Sequence, residues 1–396
     1  MALNHRLDLI NFLLADVRGG LGPYVGIFLL GHAHWDQAAI GLVLTVSGLI
    51  GISLHAPIGV FIDATPHKRA LLIGGVGALA GAAIAIVEAP TMPVVLAADT
   101  IMAVLGAVFA PTVAAVTVGL MARQELARRL ARNAACDRAG NIFAAALAGL
   151  VGWAWSLEAV FYLVPAFAVL TAAAILTIPA AAIDHQRARG LDASLDAHPQ
   201  EESWRGMLRH RPLLVLAGGM ALFHFANAPI LLLLGLELEQ RGAGTVSLYL
   251  SSAIIAAQLV SIPVALLVGT LADRWGRKPL LLMGFAALPI RLLLYALTDH
   301  PGWIVVGQLL DGISLGTLDA LLALVLADLM RGTGRYNAAR GVVGTVQGIG
   351  GSASNVVAGL LVVSAGYATA FATLAGIAVA ALLLVLLALP ETRPSS

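Results

Sequence analysis

From about residue 8 onward the chain runs almost end to end through apolar stretches, each bounded by charge, proline or glycine clusters. Stretches of about 20 apolar residues match the roughly 30 Å hydrocarbon core of a bilayer, crossed by a helix at 1.5 Å per residue. Only helices and closed barrels satisfy their backbone groups in lipid. A barrel would alternate lipid-facing and lumen-facing residues over segments of about ten residues, whereas these runs are continuous and rich in Ala, Leu, Val and Gly. Composition agrees: 59% of the residues are apolar and only 11% are charged, against about 25% charged in a soluble domain. The expected fold class is therefore an all-α polytopic membrane protein.

Apolar boundaries place helices near 8 to 30, 37 to 62, 70 to 88, 93 to 120, 135 to 156 and 158 to 180. A second set follows near 212 to 236, 246 to 270, 280 to 298, 302 to 328, 338 to 362 and 367 to 389. Twelve transmembrane helices result, with residues 1–180 as an N-terminal six-helix bundle, 181–211 as a polar cytoplasmic linker and 212–396 as a C-terminal six-helix bundle. Charge asymmetry supports the count. With the N-terminus inside, every Lys and Arg of the chain falls on the cytoplasmic side except Arg241 outside and Arg18 and Arg291 within spans. Positive charge collects on the cytoplasmic side of membrane proteins, so both termini and the linker are expected there, in a bacterial-type inner (plasma) membrane. The first apolar run carries Asp16 and Arg18 and has no cleavage pattern, so it reads as the first span rather than as a signal.

The net charge of +1 identifies no partner, because in a membrane protein the positions of the charges outweigh their sum. A nucleic-acid partner is not expected. Cys136 is the single cysteine, which excludes an internal disulfide, a thiolate metal cluster and a redox pair within one chain. No cofactor and no resident metal are expected. Neither a phosphate-binding glycine loop with its lysine nor a metalloprotease helix pair is present, and the linker is too short for a catalytic domain, so the chain does not read as an enzyme.

An internal repeat supports two halves. GVFIDATPHKRALL, from Gly59, and GTLADRWGRKPLLL, from Gly269, each follow the second helix of their half and share glycine, aspartate, basic residues and a following apolar run. Repeated halves with a solute site between them are a common transporter plan. The second copy, with Gly269, Asp273, Arg274, Gly276, Arg277 and Lys278, resembles the loop between helices two and three of the major facilitator superfamily, and the likeness extends over the whole chain in helix count, linker and duplicated loop. The resemblance implies two pseudo-symmetric six-helix bundles rocking about a central site, with this loop as a conformational latch. The first copy keeps Gly59, Asp63, Lys68 and Arg69 but has Ala64 and Pro66 where the family has arginine and glycine. The fourth-helix arginine of the family would fall near Met102, ahead of Gly106, and is not there. In the fifth helix Gly140, Gly149 and Gly152 provide small-residue spacing without the exporters' Gly-Pro pair. On this likeness the chain resembles bacterial proton-coupled efflux permeases and works as a monomer.

Ionisable residues within spans cost about 2.5–3.5 kcal/mol each on insertion scales, so they normally face a cavity or a partner. Asp16, Arg18, Asp99, His224, Asn227, Asp319, Asn141 and Asn355 are the candidates for proton coupling and for lining a substrate cavity. Asp16 and Arg18, two residues apart, cannot share one helix face. Each of the eight also has a plainer reading as a packing or interhelical bonding group. Arg291 and Asp311, at similar estimated depth on either side of a short connection, are expected to form a structural ion pair. That leaves Asp319 as the better functional carboxylate of the tenth helix, on roughly the same side as Asp311 after a little over two turns.

The residues thus point to a secondary transporter moving a small amphipathic organic solute against protons, an exporter in preference to an uptake symporter. A second reading is export of a metal ion or chelate through Asp16, His224, Asn227 and Asp319, whose carboxylate and imidazole groups suit such cargo. A membrane sensor is the non-transport alternative.

Overall fold

The computed structural model describes residues 3–19, 21–54, 57–58, 61–62, 65–121, 123–179, 182–184, 209–242, 245–298, 300, 302–330 and 336–393. The side chains at 16–19, 23, 123–128, 131 and 336–338 are not among those described. The described residues form helices and no strands: α1 Leu3–Gly19, α2 Gly22–Gly31, α3 Gln37–Ser53, α4 Lys68–Glu88, α5 Met92–Leu120, α6 Arg123–Ala154 and α7 Leu157–Leu176. These are followed by α8 Arg211–Asn227, α9 Ile230–Gln240, α10 Val246–Trp275, α11 Arg277–Leu297, α12 Gly302–Leu329 and α13 Tyr336–Ala388.

Twelve spans are built from these helices: α1 with α2, α8 with α9, and α13 counted twice. The first expected helix is divided between α1, ending at Gly19, and α2, beginning at Gly22 with Pro23 in its first turn, where proline has no N–H to continue α1's ladder. The seventh is broken by Pro229 in the same way, and α9 carries it on to Gln240. The fifth begins twelve residues earlier than its apolar run, at Arg123, because its basic segment is helical as well. The last two spans form one 53-residue helical path that turns at Gly366, whose φ of 83° is open to glycine at no steric cost.

Two compact units emerge. The first comprises Met1–Trp35, Val46–Asp196 and Gly242–Ser251, and the second Asp36–Thr45, Ala197–Arg241 and Ser252–Ser396. In the first, α1 packs on α6 and α7, and α4 on α5 and α7. Phe28 and Phe161 are fully buried there with ring centroids 5.0 Å apart. A Cβ on Gly140 would stand 2.2 Å from the Phe12 carbonyl oxygen, so α6 approaches α1 at a distance only glycine allows. In the second unit α8 packs along α13, and α11 against α12 and α13. Phe223 and Phe285 meet edge to face at 5.1 Å. Outward-facing side chains are apolar as well, with Leu266 70% and Leu387 80% exposed, which is the surface of a protein dissolved in lipid tails rather than water.

Candidate functional site

Pro229 ends α8 just after His224 and Asn227, so the polar turn of that helix stands beside α11 and α12 of the second unit. Along α12 the residues Asp311, Ser314, Leu315, Leu318, Asp319, Leu322, Ala323 and Leu326 recur at three- and four-residue steps, one face of a 3.6-residue helix. That face, with Met220, Phe223, His224 and Asn227 of α8 and Arg340 and Gln347 of α13, encloses a cavity of about 220 Å³. The walls are mainly apolar, with a few polar groups converging on them, which is the usual make-up of a small-molecule site.

Behind one end of the cavity lies Arg291 of α11, 2% exposed. Its guanidinium pairs with the Asp311 carboxylate and donates to Asn227 Oδ1 at 2.6 Å. Asp311 therefore serves both the ion pair and the cavity wall. Nearby, Tyr295 donates to the Ile304 carbonyl at 2.9 Å, anchoring α11 to the start of α12. His224 Nδ1 lies 3.0 Å from the Met220 carbonyl, which can only accept. Nδ1 must then carry the proton, leaving Nε2 of the neutral ring as an acceptor.

Asp99, Asn141 and Asn355 are not among the residues that line this cavity. Asp99 of α5, half-buried in the first unit, accepts from the Ser47 hydroxyl of α3. Asn141 Nδ2 donates back to the Asp137 carbonyl at 2.9 Å and its carboxylate at 3.3 Å within α6. Asn355 Nδ2 reaches the carbonyls of Gly351 and Ser352 only at 3.5 Å, while its own backbone touches Gly41. The side chains of Asp16 and Arg18 lie outside the described residues. Among the described residues no three His, Cys, Asp or Glu side chains cluster as a metal site.

Of the two loop copies, Gly59 and Asp63 lie outside the described residues; Lys68 is buried, with Nζ donating to the Thr65 carbonyl at 2.9 Å, and Arg69 is half-buried. The second copy is more fully tied. Gly276 turns the chain from α10 into α11 at φ 93°. Arg277 then donates to the Ala272 carbonyl at 2.6 Å, to Asp273 Oδ1 at 2.7 Å and to Asp328 Oδ2 at 3.2 Å. Backbone N–H groups of Arg277 and Lys278, at the N-terminus of α11, donate to Glu391 at 2.8 and 3.1 Å, and Arg393 donates to the Arg274 carbonyl at 3.0 Å. Partial burial pushes the Glu391 carboxyl up, but the N–H groups of Arg393, Arg277, Lys278 and Thr392 outweigh it and hold the group below its ordinary value.

Several of these partners escape a reading by span and repeat. Glu391 lies just beyond the last expected span and Asp328 is the final residue of the tenth, and Arg340 and Gln347 fall in the first half of a helix expected only to cross. Asp8 likewise binds buried Arg129 Nη2 and exposed Arg132 Nη2, each at 2.5 Å, in the first unit. A carboxylate at or just beyond a span end, on the same side as a basic cluster, is the local signal that Asp8, Asp328 and Glu391 share.

The chain matches the Major Facilitator Superfamily model over residues 7–263 and 247–396. Two uncharacterized MFS-type transporters of Mycobacterium tuberculosis are each 44% identical over 392 residues, covering 98% of this chain and 93% of the relative. Among solved structures, the nucleoside transporter NupG superposes with a TM-score of 0.79 at 15% identity, covering 98% of each chain. A D-xylose-proton symporter superposes with a TM-score of 0.73 at 13% identity, covering 100% of this chain and 99% of that one. The helical architecture, the duplicated loop and these matches agree: the chain is a membrane transporter and belongs to the Major Facilitator Superfamily.

Proposed function

We propose that this transporter is a proton-coupled antiporter exporting a small amphipathic organic solute, by alternating access of two six-helix halves joined by the 181–211 linker. The observation that carries the reading is the cavity in which Asp311, Asp319 and His224 share one apolar-walled space. Burial favours the neutral carboxyl, and water or a cation favours the charged one, so a carboxylate in such a wall changes its proton affinity as access changes. A group that holds either a proton or a donor of the solute, and not both, couples the two by exchange. Asp319 is assigned as the principal proton carrier, His224 as a second group for coupling or for binding the solute, and Arg291 with Asp311 as the pair that fastens α11 to α12. Asp16, Arg18, Asp99, Asn141 and Asn355 remain further candidates for coupling or for lining the path. Both loop copies act as latches at the cytoplasmic face, and the charge asymmetry of the sequence supports cytoplasmic termini in an inner (plasma) membrane. The working unit is a monomer.

Proton-coupled uptake is the second reading, prompted by the symporter among the similar structures; at 13% identity that likeness carries the fold alone. Purified protein in liposomes with a trapped pH dye tests both. Solute-triggered proton movement is expected, lost in Asp319→Asn. Solute driven against the imposed proton flow supports antiport, and solute moving with it supports symport. Solute flux without proton movement, unchanged by the substitution, rejects the mechanism.

A further inference from the structure

Two polar side chains of the second-unit cavity are each held in one orientation. His224 and Asn227 both line it and lie three residues apart on α8, neighbours on one helix face with Cβ atoms roughly 5–6 Å apart. The Ala228 N–H donates to the His224 carbonyl at 2.9 Å, so the turn that carries them is still helical just before Pro229. Each side chain is set by a partner that bonds in one sense only. The Met220 carbonyl can only accept, so His224 Nδ1, 3.0 Å away, holds the proton and Nε2 of the neutral ring is an acceptor. The Arg291 guanidinium can only donate, so it takes Asn227 Oδ1 at 2.6 Å and leaves Nδ2, a donor, for other partners. Among the described residues neither His224 Nε2 nor Asn227 Nδ2 has a hydrogen-bond partner.

The carboxylates of the wall do not set the requirement, because Asp311 is paired with Arg291 and Asp319 is engaged as well. What the α8 turn offers is one acceptor and one donor on two separate atoms, beside apolar Phe223, Leu315 and Leu318. An ionised amine brings donors only and a carboxylate acceptors only, so either leaves one of the two atoms unmet, which is costly once water is displaced. A hydroxyl has to serve both from a single oxygen. An amide with its N–H and C=O on the same side, as in a primary amide or a lactam, answers both at once. We infer that the cavity recognises an uncharged solute carrying such an amide on an apolar body, with the N–H donating to His224 Nε2 and the carbonyl accepting from Asn227 Nδ2. The assignment rests on the transport reading of the same cavity and narrows its solute class. It also supplies a route to exchange: a proton on Nε2 and the amide N–H exclude one another.

The test uses probes that share one apolar body and differ in head group: hydrocinnamamide, its N,N-dimethyl derivative, hydrocinnamyl alcohol, hydrocinnamylamine and hydrocinnamate. Binding to the purified full chain is read as the ligand-dependent rise in its thermal midpoint, and transport as uptake of radiolabelled hydrocinnamamide into proteoliposomes. Hydrocinnamamide is expected to bind most tightly, and each of the others about 10-fold more weakly, the scale of one buried hydrogen bond left unmade. In His224→Phe the advantage of hydrocinnamamide over its dimethyl derivative should disappear, because the N–H that distinguishes them has lost its acceptor. The comparison among probes on wild-type protein stands even if that variant folds poorly. Equal or tighter binding of any other head group, no binding of hydrocinnamamide, or an undiminished advantage in folded His224→Phe would overturn the assignment. Hydrocinnamamide binding with no flux would support the amide site and sink the transport reading instead.

Discussion

The Glu391 carboxylate accepts the backbone N–H of Arg277 at 2.8 Å, so a residue just beyond the last span caps the helix that follows the signature-like loop. The same carboxylate takes the N–H of Lys278 at 3.1 Å, and a Cβ at Gly276 would stand 2.5 Å from its Oε2. A carboxylate at a helix N-terminus satisfies orphan donors and faces the positive end of the helix dipole.

Replacing Glu391 by Ala should destabilise the second unit by about 1 kcal/mol, the usual cost of a lost N-terminal cap. The carboxyl is held below its ordinary value, so its contribution is present above the unfolded-state pKa and is lost as pH falls through the folded one. Thermal midpoints of wild type and Glu391→Ala should therefore differ at neutral pH and converge on acidification below about pH 4.5, the ordinary value of a glutamate. A difference that persists unchanged in acid would speak against the cap.

Asp311→Asn removes the charge that faces buried Arg291. Leaving an uncompensated buried charge costs about 3–5 kcal/mol, so folded yield on size exclusion should drop sharply. Exchanging the two residues, Arg291→Asp with Asp311→Arg, should restore part of it. Full yield from the single variant would show that the pair does not hold α11 to α12.

Gly140→Val should destabilise the first unit by about 1–3 kcal/mol, because its Cβ would lie 2.2 Å from the Phe12 carbonyl oxygen and neither helix backbone can yield cheaply. Gly77, with open space around its Cβ position, is the control, and Gly77→Ala should be tolerated. Thermal unfolding in detergent compares the two.

Arg129 in the first unit is 4% exposed, with Asp8, Asn133 and the Asn4 carbonyl around its guanidinium. Lysine cannot reproduce that planar fork, so Arg129→Lys should lower the thermal midpoint measurably while retaining the charge. An unchanged midpoint would mean that the positive charge alone suffices there.

Spans and halves were legible because lipid imposes a single rule, a long apolar helix, that leaves its mark on every residue. The breaks at Gly19–Gly22 and at Pro229 were harder to see, since glycine and proline occur within continuous transmembrane helices too, as Pro165 does within α7. The cavity was partly legible. Asp311, Asp319, His224 and Asn227 stand out as costly residues inside spans, and all four line it. Arg340 and Gln347 do not stand out, because their place depends on how α13 packs along α8, which no local pattern records. Glu391 stands at a span end, but its role was not legible: the α11 N–H groups of Arg277 and Lys278 that it caps lie more than a hundred residues earlier in the chain.

The turn at Gly366 joins the last two crossings through a single residue of positive φ, with helix on either side. A 53-residue helix would measure about 80 Å if straight, far more than a bilayer, so the corner is what lets both halves fit. A corner with no loop has no slack. Axial sliding of either crossing has to be passed on to its neighbour, and the two move as one stiff hairpin. Extra residues inserted there would decouple the strokes of the two helices, whereas the same insertion in a loop at the opposite face would be absorbed.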